Sequence, residues 1–302
     1  MARALLPDRI ELEGVVELLR CRNVSQGWSS AAIHVEYNPA NWHLPPEFQH
    51  LRDAWEQRNP NQRSDPKIAL RGVQVDQDYT LTCRLQATTW RDVRPLHEAA
   101  SLDDDALVRA TANGYEMLLP NIGVVHVIAS TVDGWLLAFR RGAFSHYHPG
   151  DWSATYEEGL APEDLVGSAV FQQAARRGLA EEIAPDLGTM PLGSFKVISI
   201  VMERPLGNPA VVVMVELPIS RSELPIRRPT DELDAEAFVS IPIDQIYISK
   251  IFSTPDFSLA PCEGWWHPTA RYRLLMAMAH YFGEDVAATA LSRIAKSKNV
   301  KS

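Results

Sequence analysis

The residues best suited to chemistry lie together in the run 177–183. Glu181 and Glu182 are adjacent, and Arg177 precedes Glu181 by four residues, about one helical turn. A helix would therefore hold two carboxylates close together, with a guanidinium in reach of one of them. Carboxylates this close repel each other and raise the pKa of one group unless a cation lies between them. Mg²⁺ and Mn²⁺ prefer such oxygen ligands and can bridge them to phosphate groups.

The apolar residues of this segment indicate the helix that would carry those side chains. Phe171, Ala175, Leu179 and Ile183 recur every four residues, which is typical of the buried face of a helix. We expect this helix to span residues 165–183 and to end before a proline and a glycine. An ordinary solvated helix face is the competing interpretation, because Arg–Glu pairs four residues apart are common on such faces.

Several segments flank the helix in a recognisable order. A predicted strand ends at Arg140 and Arg141, and a Pro-Gly-Asp-Trp turn follows at 149–152. Next come Glu157-Glu158-Gly159 and the helix, and downstream residues 238–246 read as a strand and a turn. Over residues 120–283 this order resembles the Nudix hydrolases, whose box reads Arg-Glu-apolar-x-Glu-Glu. The resemblance implies a Nudix-like α/β/α sandwich and hydrolysis of a nucleoside diphosphate linked to another group X.

The site residues follow from that resemblance. It implies that Glu181 and Glu182 bind Mg²⁺ or Mn²⁺ and that Arg177 orients them. Arg140 and Arg141 precede the turn and are candidates for contact with substrate phosphates, although an arginine can also end a strand by chance. The remaining candidates are acids outside the helix: Glu157 as a further metal ligand, Glu158 as a catalytic group, and Glu232 or Glu236 as an alternative base.

The sequence departs from the family pattern at the box itself. Gly178 stands where the first acid is expected, and Ala184 stands where a glycine usually follows the acidic pair. The stretch between Gly159 and Arg177 is also longer than the box allows, so we expect an insertion near residues 162–167. Glu157 or Glu158 is the expected replacement for the missing acid, with ordinary turn acids as the alternative. These departures leave two functions open, a hydrolase and a protein that binds a nucleotide derivative without turnover.

Composition narrows the choice of partners. A net charge of −9 argues against general electrostatic binding of nucleic acid. No apolar run has the length of a signal peptide or a membrane span, and three widely spaced cysteines show neither a disulfide framework nor a metal pattern. We therefore expect a cytoplasmic protein that binds a small nucleotide derivative, away from membranes and nucleic acid and with a homodimer as one option.

The remaining segments indicate how the chain is divided. Strand-like runs at 68–75 and 79–87 and a helix near 48–55 predict a smaller, mainly β, α+β accessory domain over residues 1–118. A Nudix-like domain with two C-terminal helices would occupy residues 119–302. Segments 65–70 and 81–92 are faintly similar to the leading domain of Nudix proteins that split UDP-sugars. On that similarity we rank nucleotide-sugars first among substrates.

Overall fold

A computed structural model describes residues 6–12, 14–61, 64–100, 112–113, 115–143, 148–167, 169–204, 206–224, 233–253, 259–260, 262 and 264–299. The prediction of a mixed α/β fold is confirmed. The strands of the described residues are β1 (Glu11–Leu12), β2 (Val15–Arg20), β3 (Ile33–Asn38), β4 (Pro66–Val75), β5 (Leu81–Thr89), β6 (Ala112–Asn113), β7 (Glu116–Met117), β8 (Val124–Thr131), β9 (Trp135–Arg141), β10 (Trp152–Ser153), β11 (Tyr156–Gly159), β12 (Ser194–Glu203), β13 (Pro209–Leu217) and β14 (Leu233–Pro242). The helices are α1 (Gln49–Arg58), α2 (Trp90–Ala100), α3 (Val170–Gly178), α4 (Pro185–Thr189), α5 (Gln245–Ile251), α6 (Pro268–Phe282) and α7 (Glu284–Asn299).

The larger sheet runs in the order β1-β2-β12-β13-β8-β9-β10, with β11 paired to β8 and β14 paired to β9. Strands β8 and β13 are parallel, and they form the centre of the sheet. The sequence of β13 is almost entirely apolar and buried, as expected for a central strand covered on both faces.

Alternate residues of β13 face two different cores. Val211 and Val213 pack in the core that contains Phe171 of α3. Val212 packs in the other core, together with most of α6. Because strand residues alternate between faces, α3 and α6 lie on opposite sides of the sheet. The residues therefore form a helix–sheet–helix sandwich.

The smaller sheet runs β3-β5-β4-β7-β6 and shares a core with α3. Backbone hydrogen bonds join it to the neighbourhood of β11, since Ile68 donates to the carbonyl of Leu160 at 3.0 Å and accepts from Gly123 at 2.9 Å. The division into residues 1–118 and 119–302 stays a prediction. β2 pairs with β12 and β1 pairs with β2, so both strands belong to the larger sheet.

The segment expected to be one helix over 165–183 is two helical parts preceded by a separate turn. A short 3₁₀ turn covers Pro162–Asp164, α3 covers Val170–Gly178, and a π-helical turn covers Leu179–Ile183. Gly167 has a φ of +65°, a left-handed conformation that separates the 3₁₀ turn from α3. The two predicted C-terminal helices are α6 and α7. Among the described residues, none of the helices has both the length and the apolar composition needed to cross a membrane.

Candidate functional site

Arg177 lies at the centre of a group of acidic side chains where α3 meets β11. Its Nη1 donates to Glu158 Oε1 at 2.7 Å and lies 3.7 Å from Glu181 Oε2. Its Nε and Nη2 bind the two carboxylate oxygens of Asp164 at 3.1 and 2.8 Å. Nη2 also donates to the carbonyl of Gly159 at 2.8 Å. Arg177 therefore orients its neighbours.

The three ion pairs of Arg177 place several negative charges close to one positive charge. Burial raises the pKa of Glu158 to about 7, although Arg177 opposes this, and the nearby charges of Glu181 and Glu182 raise it further. For Arg177 itself burial acts to lower the pKa, but hydrogen bonds and charges from Asp164 and Glu158 raise it above its usual value. The cluster carries more negative than positive charge and would be stabilised by a cation.

The predicted box acids lie at the solvent side of this cluster. Glu181 and Glu182 are in the π-helical turn, and the side chain of Glu181 is 56% exposed. Glu158 lies deeper, at 13% exposure. The structure thus brings Arg177, Glu158, Glu181 and Glu182 together, with two acids accessible from solvent and one beneath them. Turns of π-helix occur frequently at functional sites.

Gly178 lies against Tyr156 and is buried. A Cβ at this position would be 2.3 Å from Cε2 of the Tyr156 ring, far inside van der Waals contact. The tyrosine hydroxyl donates to the carbonyl of Ala175, which fixes the ring against α3. The space beside residue 178 is therefore filled by an aromatic ring, and packing accounts for the glycine.

Glu157 does not join the acids of the helix. Neighbouring residues of a strand point to opposite faces, so Glu158 points toward α3 while Glu157 points toward α6. There Glu157 accepts hydrogen bonds from Arg273 at 2.6 Å and from Thr269 at 2.6 Å. The sequence placed Glu157 and Glu158 on a turn, where both could approach the helix. The strand geometry separates them.

The two arginines predicted to bind phosphate have different surroundings. Arg140 is exposed, and its Nε donates to the carbonyl of Gly150 at 2.9 Å. Arg141 is buried, and its Nη1 lies 3.2 Å from Glu157 Oε2. Arg140 is thus accessible to a ligand, whereas Arg141 is engaged by a buried carboxylate. Of the alternative bases, Glu232 and the side chain of Glu236 lie outside the described residues.

The sequence interpretation missed Asp164, which is buried and ion-paired to Arg177. Its Oδ2 also accepts from the backbone amide of Ala161 at 2.9 Å, which caps the 3₁₀ turn. The segment expected to be an insertion therefore supplies a structural partner of the box arginine. A Pro at the first helical position with an acid two residues later is a helix-start signal that points to the cap. The contact with Arg177, 13 residues away, carries no local signal.

Comparison with solved structures finds partial similarity to several proteins, among them these three. The MutT protein from Methanosarcina mazei is 17% identical at a TM-score of 0.32, covering 52% of this chain and 93% of its own. A Nudix hydrolase from Alicyclobacillus acidocaldarius is 13% identical at 0.36, covering 56% and 96%. The protein DR0079 from Deinococcus radiodurans is 14% identical at 0.34, covering 53% and 83%. TM-scores this low carry no functional conclusion.

No protein-family model matches the chain, and no curated protein matches it in sequence.

Proposed function

We propose that this chain is a Nudix-type, metal-dependent hydrolase of a nucleoside diphosphate linked to another group, with nucleotide-sugars as the first substrates to test. The observation that carries the proposal is the cluster of Glu158, Glu181 and Glu182 around Arg177. An isolated Arg–Glu pair on a solvated helix would not bring in a buried carboxylate from a neighbouring strand. This convergence favours a binding site over an ordinary helix face.

The roles of the side chains follow from their positions. Glu181 and Glu182, on the solvent side, would hold the ion, and their oxygen atoms suit Mg²⁺ or Mn²⁺. When bound, such an ion polarises phosphoryl oxygens and lowers the pKa of water. Glu158 is the proposed proton acceptor, because it lies beneath the acidic pair. Arg177 is a positioning residue, since its donors are directed at protein oxygens.

Arg140 is the proposed contact for substrate phosphate. It is exposed, and its Nε donates to the carbonyl of Gly150 at 2.9 Å. Arg141 is excluded from this role, because Glu157 holds it in the interior.

A second function, binding of a nucleotide derivative without turnover, is favoured by the surroundings of Gly178. Because the Tyr156 ring fills the space beside it, this box position cannot supply an acid without a rearrangement of the core. The cluster then depends on Glu158 for the group that the box would otherwise provide. A protein in which Glu158 only anchors Arg177 would keep the binding site and lose the reaction.

The experiment is an assay of the purified protein with a panel of nucleoside diphosphate derivatives, including UDP-sugars, in the presence of Mg²⁺ or Mn²⁺. We expect product from at least one member. We also expect Glu181→Gln and Glu182→Gln each to lower kcat by about 100-fold or more, the range for loss of a catalytic carboxylate. Glu163→Gln is the matched control, because Glu163 is an exposed acid just before α3.

The possible outcomes separate the two functions. Absence of turnover throughout the panel, combined with a rise in Tm on adding a ligand, would establish binding without reaction. Turnover that persists at the same rate in both glutamine variants would place the reaction elsewhere in the molecule.

A further inference from the structure

We propose that His126, Glu157 and Glu203 form a second metal site, for a divalent ion of the Zn²⁺ type, on the face of the larger sheet that α6 covers. The three residues come from β8, β11 and β12. His126 and Glu157 are directly opposite in the register of β8 and β11. One possible ligand atom from each of the three residues lies within 4.8 Å of the others.

The imidazole of His126 is the strongest indication of a ligand. Its side chain is fully buried, and among the described residues neither ring nitrogen has a hydrogen-bond partner. Buried polar atoms are nearly always paired, and leaving one unpaired costs about 1–3 kcal/mol. An imidazole inside a sheet that has a carboxylate nearby but no hydrogen bond to it indicates a partner of another kind.

The distance between His126 and Glu203 fits that interpretation. Nε2 of His126 lies 3.0 Å from Oε1 of Glu203, yet the pair does not satisfy hydrogen-bond geometry. Two ligands that are each about 2.0–2.2 Å from one tetrahedral Zn²⁺ lie about 3.3–3.6 Å apart. The two atoms thus lie within a few tenths of an ångström of the spacing of neighbouring ligands, and a small side-chain movement would admit the ion.

The third ligand, Glu157, is held in place by side chains from α6 and β9. Arg273 and Thr269 both donate to its Oε1, and Arg141 binds Oε2. Both carboxylate oxygens of Glu157 are therefore held by donors from neighbouring elements. A ligating carboxylate that is fixed by such outer hydrogen bonds is typical of protein metal sites.

His267 lies beside this group but has another partner. Its Nδ1 accepts a hydrogen bond from the backbone amide of Thr269 at 3.2 Å. The same nitrogen lies 2.6 Å from the hydroxyl oxygen of Thr269, so its lone pair is directed at that residue. We therefore assign three protein ligands, and a water molecule would complete four-coordination.

The mixture of donors and charges selects the kind of ion. Arg273 and Arg141 already offset the negative charge of Glu157. Mg²⁺ demands near-octahedral oxygen coordination, whereas imidazole nitrogen suits Zn²⁺ and related ions. The site is thus chemically distinct from the acidic cluster around Arg177. Because Glu157 precedes Glu158 in β11, an ion at Glu157 would also fix the strand that presents Glu158.

The test measures Zn²⁺ binding to untagged protein that has been stripped with a chelator and then incubated with Zn²⁺. After dialysis, we expect elemental analysis to show about one equivalent of Zn²⁺ on the wild type. The Tm of the wild type should also rise. His126→Gln and Glu203→Gln should lose that equivalent. Two residues outside the group, the half-buried His280 and the buried Glu17, serve as controls: His280→Gln and Glu17→Gln should retain it.

Two further measurements separate this site from the acidic cluster and from misfolding. A Glu181→Gln, Glu182→Gln double variant should still bind one Zn²⁺, since those acids lie on the other face of the sheet. X-ray absorption at the zinc edge of the wild type should show imidazole among nitrogen and oxygen ligands. The proposal is overturned if the wild type retains no Zn²⁺, if its spectrum lacks imidazole, or if folded His126→Gln and Glu203→Gln proteins bind as the wild type does.

Discussion

The surroundings of Glu158 determine whether its carboxyl group holds a proton or can accept one. It is buried at 13% exposure between Arg177 and the acidic pair of the π-helical turn. The arginine favours its ionised form, and burial opposes that form more strongly. A carboxyl group in this balance responds to a cation, because an ion next to Glu181 and Glu182 offsets the charges that keep Glu158 protonated.

The pH dependence of stability tests this balance. Burial raises the pKa of Glu158 from 4.5 to about 7, so the folded metal-free protein holds a proton there that the unfolded chain releases above pH 4.5. The contribution of Glu158 is therefore fully present below pH 4.5, and it is lost as the pH rises to 7 and above. As the pH rises across this window, we expect the loss of this contribution to lower the free energy of unfolding by up to about 3 kcal/mol.

Urea unfolding between pH 4.5 and 8 measures the effect. The Glu158→Gln variant should show a flatter dependence than the wild type, while Glu163→Gln, an exposed acid, should follow the wild type. Mg²⁺ bound at the cluster should not steepen the pH dependence of stability in the wild type or in Glu158→Gln. Its binding should release a proton from the wild type near pH 6. Equal slopes in wild type and Glu158→Gln would refute the raised pKa.

At the scale of elements, the contact between α3 and β11 explains the most visible departure from the Nudix pattern. Gly178 on the helix and Tyr156 on the strand fit together without space for a further atom. We predict that Gly178→Ala destabilises the protein by about 1–3 kcal/mol, the usual effect of overpacking a core. Thermal or urea unfolding gives the value.

Gly159→Ala is the matched control for this prediction. Gly159 lies in the same strand as Tyr156, and a Cβ there would be 3.4 Å from its nearest neighbour, an ordinary contact. We expect it to change stability by less than Gly178→Ala does. Similar small effects for both would mean that Tyr156 moves aside easily, and an acid at position 178 would then be tolerated.

The sequence predicted helices and strands well, but it did not predict the side-chain contacts between them. Apolar spacing predicted the box helix and most of the strands, because periodicity reflects which face is buried. It did not show that Glu157 and Glu158 lie in a strand and so point to opposite faces. Asp164 reaches Arg177 only through the fold, and His126 and Glu203 meet across strands far apart in sequence. Contacts of this kind depend on topology, which local patterns do not encode.

At the scale of the whole molecule, the two sheets share apolar contacts and backbone hydrogen bonds. Ile68 and Leu70 of β4 lie in the same core as Phe171 of α3, and β2 is hydrogen-bonded to β12. The accessory domain predicted over residues 1–118 is therefore proposed to be one cooperative unit with the rest of the chain, because separating the two would expose a common core.

Hydrogen exchange in increasing denaturant tests this cooperativity. Amides of β5 in the smaller sheet and of β13 in the larger sheet should lose protection at the same denaturant concentration. The last turns of α7, at the end of the described chain, provide the internal control and should exchange earlier. Loss of protection in β5 well before β13 would show two independent domains.

The pairing of β2 with β12 also sets an order of events during synthesis. Residues 15–20 leave the ribosome before their hydrogen-bonding partners, which lie at 199–203. At about 5–20 residues per second, translation needs on the order of ten seconds or more to pass from one to the other. During that interval the nascent chain carries a strand without its β12 neighbour, an edge open to wrong pairing. Chaperone protection of residues 15–20 would therefore matter more for the yield of this protein than for its final stability.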